Sequence, residues 1–130
     1  MKIDHIGIAT QTLSDATAVW RDALGFEIIH TEEVAEQGVR VAMLPVGESK
    51  IELLEPLSPD SPVARFLEKR GPGIHHIAIA VADIHRALAD LKKRGARLID
   101  EKPRVGVNGC LVAFIHPSSA NGVLLELVQR

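Results

Sequence analysis

The sequence predicts an α+β fold made of two tandem βαβββ modules, and three recurrences carry the prediction. Asp4-His5-Ile6-Gly7-Ile8-Ala9 returns as His75-His76-Ile77-Ala78-Ile79-Ala80, and Ile51-Glu52-Leu53 returns as Leu125-Glu126-Leu127. Between the members of each set lie a polar helix cap, an apolar helical stretch and a glycine stop, at Thr12 to Gly25 and again at Asp83 to Gly95. Caps and glycine stops are common in any chain, but the ordered return of the same His and Glu marks an internal duplication. The expected layout is one domain over 1–130, with module one at 1–56, a connector at 57–72 and module two at 73–130.

Each element follows from local pattern. In the first strand, residues 2 to 10, His5, Gly7 and Ala9 share one parity and Ile6 and Ile8 the other. Successive side chains point to opposite faces, so the isoleucines should pack under a helix while the histidine overlooks small residues. Thr12 is placed to cap a helix over 13–24, where Ala16, Val19, Trp20, Ala23 and Leu24 form an apolar stripe. Three strands follow at 26–34, 39–46 and 50–54, separated by Glu36-Gln37-Gly38 and Gly47-Glu48. The Pro56 to Pro62 run breaks regular structure before a short helix from Val63 to Lys69. Module two repeats the plan with a strand at 74–82 and a helix at 84–94 that buries Ile84, Ala87, Leu88 and Leu91. Strands near 96–102, 110–116 and 122–129 complete it.

Composition removes several functions. A net charge of -2 with 25% charged residues offers no strong field for nucleic acid or a membrane surface. Three Phe, one Trp and no Tyr are too few to stack bases. No apolar run is long enough to span a bilayer, and the chain opens on a strand pattern where a targeting segment would be basic and then apolar. The single cysteine, Cys110, cannot form an internal disulfide and reads as a packed residue; together these features point to the cytoplasm. There is no P-loop, dinucleotide fingerprint or nucleophile elbow.

What remains is the repeated pair. Glu52 and Glu126 each interrupt an apolar strand, and a buried carboxylate without a partner is costly. Two such carboxylates and two histidines suit a divalent ion, so His5, Glu52, His76 and Glu126 are the candidate metal ligands in a cleft of one curved mixed sheet. A metal polarising a chelating substrate would leave Glu52 and Glu126 as the catalytic carboxylates. The other histidines carry less: His75 has the wrong parity, His85 falls in a first helical turn, His30 lines the pocket or decorates its strand, and His116 precedes a proline loop.

These blocks, with Lys50-Ile51-Glu52-Leu53-Leu54-Glu55-Pro56, Ser61-Pro62-Val63-Ala64 and His116-Pro117 before Gly122-Val123-Leu124-Leu125-Glu126-Leu127, resemble the methylmalonyl-CoA epimerase branch of the vicinal-oxygen-chelate (glyoxalase-like) superfamily. The resemblance runs end to end. It implies interconversion of the epimers of methylmalonyl-CoA in propionate metabolism by a homodimer, with His5, His76 and Glu126 on a divalent ion and Glu52 completing the site. Cobalt is the first candidate, ahead of nickel, manganese or zinc. The chain departs from some relatives at Val41, where they carry a glutamate proposed as acid or base; that role falls first to Glu52, or else to water or the Glu126 carboxylate shuttling on one side. Lys50, Arg40, Arg65 and Lys69 are the cations available for CoA phosphates. Two alternatives stand beside this: a glyoxalase-type lyase acting on a glutathione hemithioacetal, and a metal-free binding module of the same fold.

Overall fold

Strand β1 (Lys2–Ala9) shows the predicted alternation: His5, Gly7 and Ala9 are buried, while Ile6 and Ile8 are half-buried. It belongs to a computed structural model that describes residues 1–130 as two compact units, one formed by His5–His75 and the other by His76–Arg130 with Met1–Asp4.

In the first unit, helix α1 (Leu13–Thr17) follows β1, with Thr12 accepting a hydrogen bond from the Asp15 N–H as the expected N-cap. It does not continue as one α-helix to residue 24. Ala18–Ala23 is a π-helical segment, and the Leu24 N–H bonds the Val19 carbonyl five residues back at 2.9 Å. That wider turn changes which residues face inward. Leu13, Ala16 and Trp20 pack on the core of Ala42, Leu44 and Leu53, whereas Val19 is 54% and Leu24 60% exposed, so the predicted stripe is only partly buried. Gly25, at φ +83°, ends the segment in the left-handed region.

Strand β2 is His30–Val34, shorter than the predicted 26–34. Phe26 and Ile28 serve the core as packing residues outside the ladder. Strands β3 (Val39–Val46) and β4 (Ser49–Pro56) match expectation, and the order β2-β3-β4-β1 sets antiparallel outer pairs beside a parallel β1–β4 pair. The connector forms α2 (Pro62–Arg70), capped by Ser61, with Val63 and Leu67 buried.

The second unit contains most of β5 (Gly73–Ala80) and the regular helix α3 (Ile84–Lys93), capped by Asp83 and followed by Gly95 at φ +85°. Ile84 and Leu88 are buried on Ala113, Ile115 and Leu127, with Ala87 and Leu91 packed against them. The strand expected at 96–102 is absent. Only Leu98 makes an isolated bridge to Ile115, and the outer strand is the two-residue β6 (Arg104–Val105). Strands β7 (Leu111–Ile115) and β8 (Leu125–Gln129) give the order β5-β8-β7-β6, with β5 and β8 parallel. Both units therefore carry the predicted βαβββ plan, the second with β6, the strand that follows its helix, reduced to a stub.

Candidate metal and acid–base site

Each unit places one histidine and one glutamate by the same register. Across the parallel β1–β4 pair, Glu52 lies opposite Gly7, two residues beyond His5; across β5–β8, Glu126 lies opposite Ala78, two residues beyond His76. Two residues along a strand return to the same face, so His and Glu share that face with a glycine or alanine between them. The small residue leaves the two polar heads free to approach. His5 Nε2 is 3.5 Å from Glu52 Oε2, and His76 Nε2 is 3.1 Å from Glu126 Oε2.

All four are buried, with relative exposures of 3% for His5, 4% for Glu52, 3% for His76 and 4% for Glu126. Carboxylates so enclosed require strong partners. An imidazole nitrogen and a carboxylate oxygen converging from adjacent strands are a donor set that fits a divalent cation. In the second unit Phe114, paired directly with Glu126, meets the His76 ring edge to face at 5.6 Å and fixes its orientation.

A sequence model of the glyoxalase/bleomycin resistance protein/dioxygenase superfamily matches residues 4–114. The chain belongs to this superfamily. Among the proteins it resembles, protein YqjC of Bacillus subtilis is 46% identical over 128 residues, covering 98% of this chain and 91% of its own. Ethylmalonyl-CoA/methylmalonyl-CoA epimerase of Cereibacter sphaeroides is 42% identical over 130 residues, covering 98% of this chain and 97% of its own. A solved structure of a single-substitution variant of Streptomyces coelicolor methylmalonyl-CoA epimerase in complex with 2-nitronate-propionyl-CoA is 44% identical, with a TM-score of 0.96 over 99% of this chain and 94% of that one.

The remaining candidates of this superfamily member fall elsewhere. His75 stacks edge to face on Phe66 at 5.0 Å, His85 is exposed, and His116 accepts the Ser118 N–H at 3.0 Å as the cap of a short 3-10 turn. Cys110 is packed with Ala78, Val112 and Val128. Arg40 is drawn to Glu33 and Glu55 at 2.7 Å each, and its hydrogen bond to Glu33 holds the guanidinium above the ordinary range. Arg65 donates to the Asp60 carbonyl at 2.7 Å.

Two features escape sequence reading. Arg130 grips the buried Asp4 carboxylate through two bonds of 2.9 and 2.7 Å, anchoring the strand immediately before His5 from the far end of the chain. No local pattern could signal a pair so distant. Glu55 Oε1 accepts the Leu13 N–H at 3.0 Å, and Gln129 Oε1 accepts the Ile84 N–H at 2.8 Å. Each acceptor lies three residues beyond its unit's glutamate ligand candidate, a further term of the repeat that the Glu-to-Gln change conceals.

Proposed function

We propose that the chain is a methylmalonyl-CoA epimerase, interconverting the (R) and (S) epimers by removal and return of the α-proton through an enolate. His5, Glu52, His76 and Glu126 would hold one divalent ion within a single domain spanning 1–130. The observation that carries the reading is a buried His–Glu pair set twice in one register, in a chain 42% identical over its length to an ethylmalonyl-CoA/methylmalonyl-CoA epimerase. An ion is supported by the two buried pairs, each of which brings an imidazole nitrogen within 3.5 Å of a carboxylate oxygen.

Cobalt is the first candidate, followed by nickel, manganese and zinc. When bound, such an ion polarises the carboxylate and thioester oxygens of a malonyl thioester and lowers the cost of the enolate between them. The acid–base work falls to the chain. Epimerisation needs proton-carrying groups on opposite faces of a planar enolate, and Glu52 and Glu126 come from different modules. Val41 is fully buried and apolar, so β3 offers no proton carrier there and Glu52 takes that part. The family resemblance adds a cytoplasmic homodimer in propionate metabolism. Neither the lyase nor the metal-free module is favoured by any observation.

The test is solvent deuterium exchange at the α-carbon of methylmalonyl-CoA, followed by proton NMR, with protein stripped by a chelator and then given cobalt. Exchange that returns with the metal is expected; a cobalt-loaded protein that leaves the α-proton in place sinks the epimerase reading. Glu52→Gln should keep the fold and the ion and lose turnover by about 100-fold or more. Near-normal turnover in that variant rejects Glu52 as the base.

A further inference from the structure

The outer strand of module one carries a polar pair that the reading above leaves without a task. His30 lies opposite Met43 and Glu32 opposite Val41 across β2–β3, while Met43 lies opposite Glu52 and Val41 opposite Leu54 across β3–β4. Directly paired residues share a face of the sheet. His30, Met43, Glu52 and Gly7 thus form one row across four strands, and Glu32, Val41, Leu54 and Ala9 form the next. Lys50, also on this face, pairs with Pro45 and His5, on the far side of Glu52 from Val41.

His30 Nε2 and Glu32 Oε1 are 2.6 Å apart, and their side chains are 31% and 29% exposed. Strand alternation sends the neighbouring Glu33 to the other face, onto Arg40. The face therefore has a buried end, where the Glu52 side chain is only 5% exposed, and a wet end, where an imidazole hydrogen-bonds a carboxylate. Two strand spacings, about 10 Å between backbones, separate the ends, a gap that the two side chains and one or two waters can span.

We propose that the His30–Glu32 pair is the proton relay between solvent and the acid–base position of module one. This rests on the epimerase reading. A two-base epimerase ends each turnover with the proton moved from one side to the other, and a buried site must undo that transfer before it can bind the same epimer again. The proton leaving module one passes through water to the free ring nitrogen of His30. The imidazolium then releases a proton to solvent, with the Glu32 carboxylate stabilising its charged form. In the opposite direction the same groups deliver a proton inward, and no bond other than N–H and O–H is made or broken.

Such a relay acts after product leaves, which gives it a kinetic signature that a structural role lacks. In His30→Gln and Glu32→Gln, kcat should fall by about 10-fold or more while kcat/KM stays within about 2-fold. Imidazole buffer should restore kcat in His30→Gln, and Glu33→Gln, on the opposite face, should match the wild type in both constants. Unfolding midpoints of all three variants check the fold. Equal losses in kcat and kcat/KM, or no loss in either, overturn the relay while the wild type still epimerises. A cobalt-loaded wild type without α-proton exchange overturns the epimerase reading and the relay with it.

Discussion

Module one and module two set histidine and glutamate in one register and differ in nearly everything around it. The inner parallel pairs share one register, each with a glutamate opposite the small residue two beyond the histidine. The helices are not: one passes from α to π after five residues, and the other is a regular helix of ten. Nor are the outer strands, which offer a five-residue β2 carrying His30 and Glu32 against a two-residue β6 carrying Arg104. Arg104 holds its Nε 3.0 Å from Asp100 and lies over Phe114 at 6.0 Å. A one-residue slip between inner strands would turn a ligand candidate to the helix side, so that register is tightly specified. A covering helix has only to bury a face, and its pitch is free to drift. Divergence has thus collected in the covering helices and on the outer strands, where one module carries a His–Glu pair and the other an arginine.

The largest expected effect tests whether the modules are equivalent where they look equivalent. His5→Ala and His76→Ala should each weaken cobalt binding by about 100-fold or more, measured by calorimetry on chelator-stripped protein. Removing the ion itself should cost about 1,000-fold in turnover, restored on adding cobalt. If one histidine variant binds cobalt like the wild type while the other does not, the ion belongs to a single module and the symmetry is only architectural.

The next effect sharpens the contrast between the helices. Leu88, on α3, is 3% exposed within the second unit's core, and Leu88→Ala should destabilise by about 3 kcal/mol in urea unfolding. Leu24, which a regular helix would have turned inward, is 60% exposed, and Leu24→Ala should change stability by less than about 0.5 kcal/mol. Comparable losses at both sites would mean that the π-segment buries its leucine in solution.

The parts of the fold legible in sequence are those dictated by period and by chemistry that costs energy to bury. Ile6 and Ile8 against His5, Gly7 and Ala9 gave a readable strand, and a carboxylate inside Ile51-Glu52-Leu53 announced a partner. The pairing of His5 with Glu52 and of His76 with Glu126 followed from recurrence alone. The π-segment was not legible, because Ala16, Val19, Trp20, Ala23 and Leu24 satisfy a regular helical stripe equally well. The expected strand at 96–102 shrinks to the Leu98–Ile115 bridge because the Asp100 carboxylate, which no strand period marks, accepts the Phe114 N–H at 2.9 Å in place of a backbone carbonyl and ends the ladder there. The contacts of Asp4 with Arg130 and of His30 with Glu32 depend on tertiary placement and on rotamer, neither of which has a sequence period.

The smallest effect concerns the caps, and it isolates charge from geometry. Both helices have their first N–H met by a side chain three residues past a ligand candidate, but Glu55 brings a carboxylate and Gln129 a neutral amide. A negative charge at a helix N-terminus is stabilising by about 0.5 kcal/mol at low salt. Gln129→Glu should therefore stabilise by about that amount, with the gain fading as salt rises. Glu55→Gln should lose somewhat more, about 1 kcal/mol, because Glu55 Oε2 also accepts from Arg40 Nη1 at 2.7 Å. Thermal melts across a salt series separate these contributions. If both substitutions leave the salt dependence unchanged, the two acceptors act by hydrogen-bond geometry alone, and the duplicated cap is as symmetric in energy as it is in position.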